Sequence, residues 1–381
     1  MEIAVNTRLL LKNKLEGIGW FTFETLKRIT QQHPEHHFYF IFDRNFDEEF
    51  IFSENITPII IGPQARHPFL FIWWFELSVY DVLKKLKPDV FLSPDGYLSL
   101  KSDVPSIAVI HDINFAHYPK DLPFWVRKYY NYFFPRFAKK ATRIATVSEY
   151  SKKDIYETYG IENSTIDVVY NGVNSLYKPI NNDEQQALRN KITQGNPYFI
   201  FVGALHPRKN ISNLLVAFDA YKEKANNSMK LILVGEKYWW NSKMESAYSN
   251  LKYKNDVVFI GRLSPTGLAS VMASATALTY IPYHEGFGIP ILEAMCCNVP
   301  VITSNVTSMP EVASDAALLV DPFNINEIAE AMHNISNNEE LRKSLIEKGQ
   351  KRHAHFSWDK TANALWQCIE KTITTTQNAK G

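Results

Sequence analysis

Two stretches of the sequence combine residue types and spacings suited to a ligand that carries both phosphate and hydroxyl groups. The first, Tyr283-His284-Glu285-Gly286-Phe287-Gly288-Ile289-Pro290-Ile291-Leu292-Glu293, follows a β-type apolar run and opens a helical pattern. Gly286 and Gly288 permit close backbone approach and Pro290 suits a first helical turn, so the free amides there form an anion site reinforced by the helix dipole. A diphosphate fits such a site. Glu285 and Glu293 would lie about 12 Å apart on an unbroken helix rising 1.5 Å per residue, which can place one carboxylate by a hexose and the other by a ribose. The same residues also make a plain strand-to-helix turn with Glu293 as a dipole partner, and spacing alone leaves both readings open.

The second stretch, Phe201-Val202-Gly203-Ala204-Leu205-His206-Pro207-Arg208-Lys209-Asn210, again joins a strand pattern to a helix pattern. Arg208 offers a forked donor and Lys209 a point charge for phosphate oxygens. Cations beside a helix N-terminus are electrostatically unfavourable, which points to an anionic partner over a merely solvated pair. His111, in Ile110-His111-Asp112, closes a strand pattern and reads equally as a structural or a functional residue. Glu16-Gly17-Ile18-Gly19-Trp20 forms a glycine turn at the start of a helix but lacks the third glycine of a dinucleotide fingerprint. Ser308-Met309-Pro310-Glu311 has the spacing of a capping box, which makes Glu311 a cap and not a catalyst.

These residues need a scaffold that delivers them to one edge. Short β-rich runs at 3–6, 38–42, 90–93, 107–110, 144–147 and 166–170 alternate with helical patterns at 19–32, 69–86, 123–139 and 148–159. A polar stretch over 178–196 reads as a linker without sheet-like runs. Strand runs then resume at 198–202, 230–234, 257–260, 277–281, 300–303 and 317–320, and helical patterns fill 325–335, 339–354 and a last segment from 357. The alternation predicts an α/β protein of two Rossmann-like, doubly wound parallel-sheet domains facing a cleft, with C-terminal helices. The expected domains are 1–178 and 179–381, with the last helix, about 357–376, packing back on the first domain.

Composition narrows the function classes. Lys plus Arg number 41 against 40 Asp plus Glu in 381 residues, so no general field favours nucleic acid. The start carries no basic-then-apolar leader, and no window reaches about 18 uninterrupted apolar residues. Three cysteines, two of them adjacent, make neither a disulfide framework nor a zinc spacing. The expectation is a cytoplasmic protein.

Taken together, the Glu285-to-Glu293 element, the Pro-Arg-Lys-Asn loop, Val-Ile-His-Asp at 109–112, Thr-Val-Ser-Glu-Tyr-Ser at 146–151, Val-Tyr-Asn-Gly-Val-Asn at 169–174 and Met-Pro-Glu-Val at 309–312 resemble glycosyltransferase family 4, of the GT-B fold. The resemblance covers nearly the whole chain. It implies a retaining transferase that moves a hexose from a nucleotide diphosphate sugar to an acceptor hydroxyl without a metal or other cofactor. By that pattern Arg208 and Lys209 neutralise the leaving diphosphate with the amides of Gly286, Phe287 and Gly288, Glu293 holds the ribose and Glu285 the donor sugar. His111 contacts sugar hydroxyls from the opposite domain, and Gly17 and Gly19 let the first loop close over the phosphates. The sequence contains no Asp-x-Asp triplet, in keeping with metal-free transfer. It departs from many relatives in having Gly203-Ala204 where they carry Gly-Arg, which leaves Arg208 as the replacement cation.

The Pro-Arg-Lys-Asn variant and the His-Asp pair are most similar to the bacterial mannosyltransferases of O-antigen and capsular polysaccharide synthesis, which implies GDP-mannose as donor and a glycan or polyprenyl-diphosphate-linked acceptor. A UDP-sugar transferase, a non-hydrolysing sugar-nucleotide epimerase and a non-catalytic scaffold of polysaccharide assembly are the alternatives. Between 120 and 143, seven Lys and Arg residues accompany Asp121 alone and interleave with aromatic rings, and 66–75 adds more rings. Most of those rings are expected to pack on the first sheet, with the basic face left for peripheral contact with a membrane.

Overall fold

The computed structural model describes residues 1–378 as two compact units, Met1–Gly172 together with the segment from Ser357, and Val173–Phe356. The first unit holds a seven-stranded parallel sheet of β1 (Glu2–Asn6), β2 (His37–Phe42), β3 (Ile56–Ile60), β4 (Val90–Ser93), β5 (Ser106–Val109), β6 (Arg143–Thr146) and β7 (Ile166–Val168). Its order is β3-β2-β1-β4-β5-β6-β7. Strand order reverses between β1 and β4, where Ile3 pairs with Val90. The short central strands β4 and β5 are buried throughout, which is why they read as continuous apolar runs.

Around this sheet lie α1 (Gly17–Gln32), α2 (Pro68–Trp73), α3 (Tyr80–Leu86), α4 (Asn114–His117), α5 (Phe124–Lys140) and α6 (Glu149–Tyr159). The helix expected over 69–86 is continuous but interrupted by a π-turn, Trp74–Val79. The strand β3 was not apparent in the sequence: Pro58 breaks its alternation, and at the sheet edge the ring costs few ladder bonds.

The second unit holds a six-stranded parallel sheet, β8 (Tyr198–Val202), β9 (Lys230–Val234), β10 (Val257–Gly261), β11 (Ala277–Tyr280), β12 (Val301–Ser304) and β13 (Leu318–Val320), in the order β10-β9-β8-β11-β12-β13. Its reversal point lies between β8 and β11. Its helices are α7 (Asn182–Thr193), α8 (Ile211–Ala225), α9 (Ser242–Ser249), α10 (Pro265–Ala273), α11 (Ile289–Cys296), α12 (Met309–Ala313), α13 (Ile325–Asn337) and α14 (Glu339–His353).

Helix α7 corrects the reading of 178–196 as a linker. Asn181 and Glu184 form a reciprocal capping box that starts a helix in this polar stretch, where few apolar residues mark a face. The last helix, α15 (Trp358–Asn378), groups with the first unit. Arg28 on α1 reaches Asp359 at 2.7 Å, Thr361 donates to the Tyr170 carbonyl at 2.7 Å, and Trp366 stacks on His33 at 3.6 Å.

Candidate functional site

The expected site residues divide between the units: Gly17, Gly19 and His111 lie in the first, and Arg208, Lys209, Glu285, Gly286, Phe287, Gly288 and Glu293 in the second. Each unit offers the carboxyl ends of its strands, and in open parallel sheets ligands bind where strand order reverses.

In the second unit that place is built from the loops after β8 and β11. His206 caps a short 3₁₀ turn, Pro207–Lys209, by accepting from the Arg208 amide at 3.2 Å, and Asn210 then takes a left-handed conformation to launch α8. This turn aims two adjacent cations at one carboxylate. Glu285 Oε2 accepts from Arg208 Nη1 at 2.5 Å, from the Lys209 ammonium, and from the Tyr280 hydroxyl at 3.0 Å. Lys209 also bonds to the Tyr280 hydroxyl, and Arg208 Nη1 to the His284 carbonyl at 3.3 Å. Tyr280 is buried, and burial together with the Glu285 charge holds its phenol well above the ordinary range.

Residues 285–288 are not helical, and α11 begins only at Ile289, so the separation computed for an unbroken helix does not apply. Gly288 sits at φ +94°, a conformation that side chains rarely adopt, and turns the chain into α11 with Pro290 in the first turn. Phe287 buries its ring against Phe356 at 5.6 Å. The expected capping box at Ser308 is absent. Ser308 has helical backbone angles and makes no cap; its hydroxyl donates instead to the Glu285 carbonyl at 2.8 Å, pinning the loop that carries the carboxylate.

Glu293, one turn into α11, has a different environment. Burial pushes its carboxyl up to about 7, opposed by the polar contact of the Tyr177 hydroxyl. Sequence reasoning missed Tyr280 and Tyr177 and took Ser308 for a helix cap; only the position of Tyr280 at the end of a strand signalled it.

In the first unit His111 follows β5. Its Nε2 lies 2.9 Å from the Pro94 carbonyl, which accepts, so this nitrogen carries the proton and Nδ1 is left as an acceptor. Burial lowers its pKa, keeping the ring neutral, and Phe21 packs edge-on at 5.0 Å. Gly17 and Gly19 form the first turn of α1. A side chain at Gly19 would meet the Leu9 carbonyl at 3.2 Å, so glycine permits a close approach of backbone segments there. Beside the reversal point, Arg8 after β1 pairs with Asp95 after β4 at 2.7 Å. A set of groups able to hold a cation, His33, Glu35 and His36, precedes β2 and therefore lies at the opposite, amino-terminal end of the sheet.

Two family descriptions match this chain: "Glycosyltransferase Family 4" over residues 15–175 and "Glycosyl transferases group 1" over residues 182–352. The chain is similar to O-antigen chain mannosyltransferase B of Escherichia coli, 26% identical over 388 residues that span 95% of this chain and 96% of that one. It is also similar to the O-antigen chain mannosyltransferase RfbU of Salmonella typhimurium, 31% identical over 226 residues, 59% of each chain. Among solved structures, Anabaena HepE in complex with UDP-glucose superposes with a TM-score of 0.76 at 16% identity, covering 97% of this chain and 100% of that one.

Proposed function

Because the chain belongs to glycosyltransferase family 4 and is a hexosyltransferase of the GT-B fold, we propose that it moves mannose from GDP-mannose, with retention and without a metal or cofactor, to a glycan in cell-surface polysaccharide synthesis. The observation that carries this reading is the cluster of Arg208, Lys209 and Glu285 at the β8–β11 reversal point. A diphosphate arriving there takes over donors that Glu285 now occupies, together with the amides of Gly286, Phe287 and Gly288. The carboxylate is released toward the hydroxyls of the donor sugar. Glu293 accepts from the ribose, His111 contacts the sugar through its acceptor nitrogen, and the turn at Gly17 and Gly19 closes over the phosphates.

During transfer the bond from the anomeric carbon to the β-phosphate oxygen breaks, and the electron pair leaves with the diphosphate. The acceptor oxygen bonds to the same face of that carbon, and its proton passes to the departing phosphate. Cations and amides fixed in advance stabilise the charge that develops there, the largest contribution such a site makes. The two mannosyltransferase relatives support the sugar, and the missing Asp-x-Asp triplet supports metal independence. The acceptor in this reading is carried on polyprenyl diphosphate, at the inner face of the cytoplasmic membrane. Among the described residues no helix is long and apolar enough to cross a membrane.

Melting shifts with GDP, UDP, dTDP and ADP and their sugar conjugates test the donor, since a ligand that binds the native state raises stability. A selective response to GDP and GDP-mannose is expected. A selective UDP response, as the UDP-glucose complex of HepE makes worth measuring, would replace the donor and keep the family. Conversion of the sugar without acceptor would identify an epimerase.

A further inference from the structure

The large apolar side chains of 66–143 include a buried set and an exposed set, with Phe71, Tyr130 and Phe133 partly buried between them. Trp74, Phe75, Phe134 and Phe137 pack into the core of the first unit with Tyr97 and Tyr129. Phe69, Trp73, Leu77, Phe124, Trp125 and Tyr132 are exposed, Phe69 to 65% and Trp125 to 64%. The exposed set is not scattered. Phe69, Trp73 and Leu77 recur every fourth residue along α2 and its π-turn, while Trp74, Phe75 and Val79 of the same turn face inward. On α5 the rings of Phe124, Trp125 and Tyr132 are exposed, whereas Tyr129, Phe134, Phe137 and Ala138 are buried. The two stripes meet: the Phe69 and Trp125 rings are 6.5 Å apart, and Trp125 contacts Phe124 at 5.2 Å.

Cations lie against these exposed rings. Arg127 and Lys128 lie 5.3 and 5.8 Å from the Phe124 ring, and Arg136 covers Tyr132 at 3.6 Å. Asp121 is the one acidic residue between 120 and 143. Glu76, on the π-turn, is turned inward to accept from the Leu100 amide at 2.8 Å. Exposed apolar clusters of this kind mark interaction surfaces. Seven Lys and Arg residues against Asp121 alone over 120–143 give this face a positive charge, and rings seated at headgroup depth among cations suit an anionic lipid surface.

We infer that the outer faces of α2, its π-turn and α5 form one membrane-docking platform, in which Phe69, Trp73, Phe124 and Trp125 enter the headgroup boundary and Arg127, Lys128 and Arg136 engage lipid phosphates. The platform serves the proposed lipid-borne acceptor, but vesicle binding requires neither donor nor acceptor, so the two readings stand or fall separately.

The test is flotation of the full chain with vesicles of phosphatidylcholine alone or with phosphatidylglycerol. Wild type is expected to float with the anionic vesicles, less so as salt rises, with a blue shift of tryptophan emission. Trp73→Ser with Trp125→Ser should abolish flotation, and Arg127→Gln with Lys128→Gln should weaken partition by about thirtyfold. Wild-type melting temperatures in both double variants establish that they fold. The proposal is overturned if wild type does not float with anionic vesicles, or if both folded double variants float as wild type does. It is also overturned if wild type fails to float and instead self-associates in a manner abolished by Trp73→Ser with Trp125→Ser, which would assign the face to a second copy.

Discussion

Both sheets place an arginine and a carboxylate at the same topological position, on the two strand ends where strand order reverses, yet the two pairs are built for different ends. Arg8 and Asp95 are closed off, with side chains 8% and 4% exposed. Asp95 also accepts from Asn6 at 2.8 Å and Ser93 at 3.1 Å, and the Arg8 guanidinium lies 4.5 Å from the Tyr97 ring. Burial works against the Arg8 charge, but Asp95 together with Tyr97 and Tyr130 more than offsets it, holding the guanidinium above its ordinary pKa. Arg208, Lys209 and Glu285 keep 21%, 11% and 13% exposure, and two cations share one carboxylate. A sealed pair with its bonding capacity committed holds strands together. A more exposed one, in which two cations converge on one carboxylate, can exchange that internal anion for a ligand's.

The largest expected effect is on the sealed side. Asp95→Ala leaves a buried guanidinium without its counter-ion and should cost about 3–5 kcal/mol of stability, read from denaturant unfolding. An unchanged midpoint would erase the contrast. On the open side, Lys209→Ala should lower transfer by about 100- to 1000-fold while the unfolding midpoint stays near that of wild type. Full turnover in the soluble variant would remove Lys209 from the site.

Glu293 sharpens the comparison, since it is a carboxylate of the same helix region without a cation. Its folded-state pKa of about 7 exceeds the ordinary 4.5, so the stability it contributes is present at acid pH and lost as pH rises through about 7. Melting temperatures from about pH 4.5 to about pH 8 should fall less in Glu293→Gln than in wild type, with the difference developing below about pH 7. At the alkaline end that variant should bind GDP roughly tenfold more weakly, the worth of a charged hydrogen bond, and equal affinities would remove Glu293 from the ribose. The smallest expected effect is none: on the proposed metal-free reading, in which Arg208 and Lys209 neutralise the diphosphate, EDTA should leave transfer unchanged. Activity restored only by magnesium or manganese would contradict that.

Much of this was legible in the sequence because it is local. Fully buried strands write themselves as apolar runs, and Pro290 within reach of Gly288 announces a tight entry into a helix. The edge strand β3 and the polar helix α7 were obscure because neither shows a clean apolar period. Ser308 misled because the spacing of a capping box is satisfied by sequence alone, whereas its geometry depends on backbone angles set by the neighbouring loop. The rings of 66–143 could be counted but not sorted, since a π-turn decides which rings near 74 turn inward and packing on the first sheet sorts those of α5.

The sequence by itself determined the α/β alternation, the family and the identity of the charged residues at the strand ends, because side-chain periodicity and turn chemistry operate over a few residues. Tertiary structure alone decided which charges meet. Arg8 and Asp95 are 87 residues apart and Arg208 and Glu285 are 77 apart, and each pair forms only because a parallel crossover brings distant strand ends side by side. Burial then set their roles, sealing one arginine under aromatic rings and leaving the other where solvent, and an anion, can reach it.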